Sequence, residues 1–87
     1  MDQYYRELAS YFKKRRESSG HSQRTVAKEL GYSSPQFISN WERGLCGPPL
    51  KKLPRIIDLY GLNRGEVVTV MMKAYKKELE RSLKGRR

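Results

Sequence analysis

One cysteine, Cys46, and one histidine, His21, are all that 87 residues contain of those two types. A single thiol rules out a disulfide within the chain, and no Cys/His set exists to hold zinc or another metal. Long apolar runs are missing too. The longest, Val67 to Met72, is interrupted by Thr69 and falls far short of the roughly 20 residues a membrane span needs. No signal-peptide pattern is found. Acidic residues are scarce and form no cluster of the kind acid–base catalysis uses, the lone His and Cys fall in different loops, and no phosphate-cradling glycine loop is present. An enzyme is therefore not expected, and neither a cofactor nor a small-molecule ligand is implied. A chain this small without such a staple is expected in a reducing cytoplasm, with no membrane partner.

What is present is positive charge. Nineteen basic residues face nine acidic ones, a net charge of +10. The excess is spread evenly, since residues 1–62 hold 11 basic and 6 acidic groups while residues 63–87 hold 8 and 3, +5 each. Such a balance points to a polyanion, nucleic acid ahead of an anionic membrane face.

Apolar periodicity predicts five helices and no strand, an all-α fold. The first covers about Gln3 to Ser18, with Tyr5, Leu8, Phe12 and Arg16 on one face. The second opens on Ser22 as N-cap, turns Val26, Ala27 and Leu30 to one side and stops at Gly31. The third takes Ser34 as N-cap and Pro35 as its first helical residue, and ends at Gly44. A Gly/Pro-rich loop, Leu45 to Leu50, leads to a fourth helix beginning near Lys51, with Leu53, Ile56, Ile57 and Tyr60 inward. Asn63 and Glu66 have the spacing of a capping box for a long fifth helix reaching Leu83.

The segment Gln23 to Gly44 has the form of a helix-turn-helix, the unit that sets a helix into the major groove. Ala27 is small where two helices cross, and Phe37, Ile38, Trp41 and Leu45 are expected to pack into the core. The other side of the third helix carries Gln36, Ser39, Asn40 and Arg43. Side-chain amides bond adenine bidentately, and arginine reaches phosphate or guanine.

Ser-Gln-Arg-Thr-Val-Ala-Lys-Glu-Leu-Gly at 22–31, Ile-Ser-Asn-Trp-Glu-Arg-Gly at 38–44, then Pro48 and Leu53, resemble the Cro/CI-type (XRE family) helix-turn-helix domain over about residues 5–62. The resemblance implies a compact, five-helix, lambda-repressor-like fold with a long C-terminal helix. It implies a phosphate contact for Gln23, base contacts for Pro35, Gln36 and Asn40 with Ser34 and Ser39 beside them, and an ion pair between Arg16 and Glu42. The stretch between Gly31 and Ile38 is one residue longer than the usual family turn, so the third helix is anchored on Ile38, Glu42 and Gly44, and Ser33 joins Ser34 as a contact candidate. Arg24, beside Gln23, and Lys51 and Lys52, at the start of the fourth helix, complete the DNA-binding set.

Several conspicuous residues have plainer readings. His21 is a connector, and Cys46 a passive thiol. Trp41 and Phe37 belong to the core rather than to a single-strand stacking platform. Lys13, Lys14, Arg15 and Arg16 point to different faces and so form no targeting or membrane patch. In the fifth helix Val68, Met72, Tyr75, Leu79 and Leu83 form a narrow apolar seam, expected as a homodimer interface, followed by a basic tail of Lys84, Arg86 and Arg87. The expected organisation is a DNA-binding unit at 1–62 and, in the same domain, a C-terminal helix at 63–87, with no residues left for a sensor domain. The reading is a sequence-specific, double-stranded-DNA-binding transcriptional regulator of repressor type, cytoplasmic and nucleoid-associated, its recognition helix spanning about 35–43. The alternative is a DNA-binding antitoxin or protein-interaction module whose last helix docks a partner protein.

Overall fold

Leu8 and Phe12 stand one turn apart on the first helix, and each is only 1% exposed. The computed structural model describes residues 2–85, so Arg86 and Arg87 of the basic tail lie outside the described residues. The helices are α1 (Asp2–Ser18), α2 (Gln23–Glu29), α3 (Gln36–Glu42), α4 (Leu53–Tyr60) and α5 (Arg64–Lys84), with one 3-10 turn at Leu50–Lys52. No strand occurs among the described residues. α1 is the hub, packing against α3, α4 and α5. Around Leu8 and Phe12 gather Val26, Ala27 and Leu30 of the α2 segment, Ile38 and Trp41 of α3, Ile56 and Tyr60 of α4, and Val67 and Ala74 of α5. Each large side chain so buried contributes about 1.5–3 kcal/mol.

The ends of α2 show why it stops where it does. Ser22 Oγ accepts the Thr25 N–H at 3.0 Å. At the other end Gly31 takes φ +83°, which lets the Tyr32 N–H reach back to Ala27 O at 2.9 Å. That left-handed residue turns the chain away from α2 and toward α3, and a Cβ there would be strained.

Four local expectations need correction. α3 begins at Gln36 rather than Pro35. Pro35 holds the N-cap position with φ −75° and ψ 3° and no side-chain cap of its own, and Ser34 Oγ accepts the Gln36 N–H instead at 3.3 Å. The fourth helix is entered through the 3-10 turn, which brings Pro54 to the start of the α-helical ladder, where its missing N–H leaves no bond unmade. Phe37 and Leu45 are not core residues, being 54% and 61% exposed. Leu45 follows Gly44, whose φ of +78° ends the helical register. His21 is more than a connector, because its ring nitrogen bonds Leu59 O at 3.1 Å and ties the α1–α2 turn to α4.

α5 runs antiparallel along α1. Glu66 meets Arg15 at 2.7 Å and Tyr11 OH at 2.8 Å, while at the far end Tyr75 packs edge-on to Tyr4 with centroids 5.6 Å apart. Asn63 Oδ1 caps the Glu66 N–H at 2.9 Å. Only half of a capping box forms, because the Glu66 carboxylate is drawn to α1. One stripe of α5 is thereby buried through Val67 and Ala74, and the stripe Val68, Met72, Tyr75, Leu79 and Leu83 is left 42 to 69% exposed.

Candidate nucleic-acid interface

A buried polar node fixes α2 and α3 relative to α1. The Arg16 guanidinium grips Glu42 with a two-pronged fork, Nε to Oε2 at 2.6 Å and Nη2 to Oε1 at 3.0 Å. Its third nitrogen, Nη1, donates to His21 O at 2.8 Å. The Glu42 hydrogen bonds push the Arg16 pKa further up, against the opposing effect of burial. Gln23, the first residue of α2, donates its Nε2 to Glu42 Oε1 at 2.9 Å. An amide nitrogen has two hydrogens, so Gln23 keeps one for an outside acceptor while the other fixes its orientation.

The face of α3 away from the core carries the polar stripe. Ile38, Trp41 and Glu42 are buried, Gln36 and Arg43 are exposed, and Ser39 and Asn40 are half-buried. Gln36 Nε2 and Arg43 Nη2 both donate to Asn40 Oδ1, at 2.8 and 2.9 Å. Both lone pairs of that oxygen are thus used. The surface outward of the trio offers the Asn40 amide nitrogen as donor and the Gln36 amide oxygen as acceptor.

The remaining candidates differ in their surroundings. Ser33 and Ser34 are exposed and Pro35 is half-buried in the turn before α3. Arg24 and Lys51 are exposed. Lys52 is already engaged, since its Nζ donates to Leu30 O at 2.9 Å and stands 5.4 Å above the Tyr32 ring. It fastens the start of α4 to the end of α2. Of the basic run in α1, Lys13 and Lys14 are exposed, whereas Arg15 and Arg16 are held by Glu66 and Glu42.

One feature of this face is absent from the sequence reading. Phe37 lies against Tyr32, ring centroids 4.8 Å apart and planes 32° from parallel. Tyr32 in turn meets Trp41 edge-on at 6.4 Å, and its hydroxyl is pushed to higher pKa by burial and then by the neighbouring Cys46. The signal was in Glu42. Once that residue is counted as buried beside Arg16, the inward arc of so short a helix is full and Phe37 falls outside it.

No group of His, Cys, Asp and Glu side chains suited to a metal occurs among the described residues. No described helix is long and apolar enough to cross a membrane.

Comparison with known proteins agrees with this geometry. No match was found among curated proteins or among solved structures. Residues 7–69, more than two thirds of the chain, match the family described as Helix-turn-helix domain, which runs from the second turn of α1 into the first turns of α5 and is consistent with the Cro/CI type. With two short helices joined through Gly31 and braced on α1 by Arg16 and Glu42, the chain belongs to the helix-turn-helix domain family.

Proposed function

We propose that this DNA-binding protein is a sequence-specific transcriptional regulator of repressor type, acting on double-stranded DNA as a homodimer with α3 in the major groove. One observation carries the reading: among the described residues the Gln36 and Asn40 side chains bond each other and Arg43, and both remain accessible on the helix that the fold holds outward. The Asn40 donor and the Gln36 acceptor together match the N7 and N6 positions of an adenine, one hydrogen bond from each side chain. Ser39, with Ser33, Ser34 and Pro35 in the turn, borders that contact. Gln23, Arg24, Arg43 and Lys51 supply phosphate contacts that set register. Lys52 is the weakest member of the set, because its ammonium already serves Leu30 and Tyr32.

Residues 1–62 form the DNA-binding unit, and residues 63–87 belong to the same domain, since Val67 and Ala74 complete its core. The exposed seam on α5 pairs two copies, so that two recognition helices address two half-sites. The role is regulatory rather than enzymatic and places the protein with DNA in the cytoplasm. Enrichment of bound fragments from random duplex DNA is expected to return inverted half-sites about one helical turn, 10–10.5 base pairs, apart. Enrichment of no sequence rejects the proposal. Stable co-purification with a second small protein seated on α5 favours the antitoxin-like alternative instead.

A further inference from the structure

We infer that Phe37 reads the C5-methyl group of a thymine in the major groove. The inference rests on α3 being the helix in the groove, and deepens that reading by naming a base and an atom.

By ideal helical geometry Phe37 lies about 40° around α3 from Trp41 and about 60° from Asn40 on the other side. It therefore sits on the border between the core strip and the polar stripe. The core strip is filled by Ile38, Trp41 and Glu42, so the ring has no place inside. It is nevertheless held. Tyr32 covers one side at 4.8 Å, and Tyr32 is itself wedged by the edge of Trp41 and the Lys52 ammonium. The result is an aromatic surface backed by Tyr32, 54% exposed, on the helix that carries the Asn40 and Gln36 amides.

Covering apolar surface is favourable, so a ring held beside hydrogen-bonding side chains gains from an apolar group brought against it. Among the four DNA bases, the apolar group displayed in the major groove is the thymine methyl; the other base-edge groups there are hydrogen-bond donors and acceptors. The surroundings also favour DNA over a protein partner. Gln36 and Asn40 on one side and the Lys52 ammonium beyond Tyr32 make a polar, cationic border, which suits a groove lined by phosphates.

The test uses the best-bound duplex from the enrichment experiment, with each thymine replaced singly by deoxyuridine. Dissociation constants are measured at one fixed salt concentration for the full chain, for Phe37→Ala and for Phe37→Leu. At one thymine per half-site uracil is expected to weaken the native chain about fourfold, the effect of uncovering one methyl group. Phe37→Ala is expected to lose that discrimination at the same position, and Phe37→Leu to keep part of it. Tolerance of uracil at every position overturns the inference, as does an undiminished uracil penalty in both variants. A change in sedimentation on substituting Phe37 also overturns it, because the ring would then serve a protein contact. Failure to enrich any duplex defeats the parent reading, whereas selective binding that ignores the methyl defeats this inference alone.

Discussion

Glu42 and Arg16 meet as a buried fork, with nitrogen–oxygen distances of 2.6 and 3.0 Å and side chains 2% and 11% exposed. The pair locks α3 to α1, and through Gln23 it also sets the start of α2. Removing Glu42 leaves the Arg16 guanidinium largely buried, with the His21 carbonyl and the more distant Glu17 carboxylate in place of its fork. Glu42→Ala is therefore expected to cost about 3–5 kcal/mol in urea unfolding. The double replacement Arg16→Met with Glu42→Leu is expected to recover much of that loss, because no charge is then stranded. Equal destabilisation by the single and double replacements would contradict a desolvation origin.

Tyr60 makes a contrasting case a short distance away. Its buried hydroxyl has no hydrogen-bond partner among the described residues, and burial, with the Glu42 charge second, drives its pKa far above the usual 10.0. Tyr60→Phe removes an unsatisfied polar atom and is expected to raise stability at neutral pH by about 1 kcal/mol. The sign at alkaline pH follows from linkage. Above pH 10.0 the unfolded chain releases the Tyr60 proton while the folded chain retains it, so folding stability falls as pH rises. Unfolding curves from pH 8 to 11 should show a shallower alkaline decline in the Phe variant.

On α3 the roles of Asn40 and Arg43 separate by experiment. Asn40→Ala is expected to cost about 1–3 kcal/mol on the preferred duplex and to relax choice at one base position. Arg43→Ala is expected to weaken binding to all sequences and to reduce the salt slope by about 1. Because Arg43 also donates to Asn40 Oδ1, a smaller loss of selectivity should accompany it. Identical profiles for the two variants on every duplex would defeat the assignment.

The α5 seam yields a test of assembly. Met72 and Leu79 are 63% and 45% exposed, so a glutamate at either position costs the isolated fold little. Met72→Glu and Leu79→Glu are expected to leave the circular dichroism spectrum intact, shift sedimentation from dimer to monomer and weaken binding to paired half-sites. A native chain that stays monomeric at micromolar concentration, with and without DNA, removes the basis for this prediction.

Much of the fold was legible because its signals are local. Ser22 before α2, Gly31 and Gly44 after α2 and α3, and Asn63 before α5 each act through hydrogen bonds or a φ value within a few residues of themselves. The burial of Leu8, Phe12, Val26, Ile38 and Ile56 follows from helical spacing in the same way. Phe37 was misread for an instructive reason. Periodicity assigns a ring 40° from a buried tryptophan to the core, but it cannot show that a charged residue on the far side of the helix has taken the space.

The sequence alone determined the five helices, the caps that open α2 and α5, and the polar composition of α3, because propensity and charge are properties of neighbours along the chain. Only the tertiary structure decided how those groups are used. It committed Lys52 to Leu30, drew Glu66 away from its cap to Tyr11 and Arg15, and left the Phe37 ring more than half exposed. Each of these depends on which side chains can reach a shared partner, and that competition exists only once distant segments are packed together.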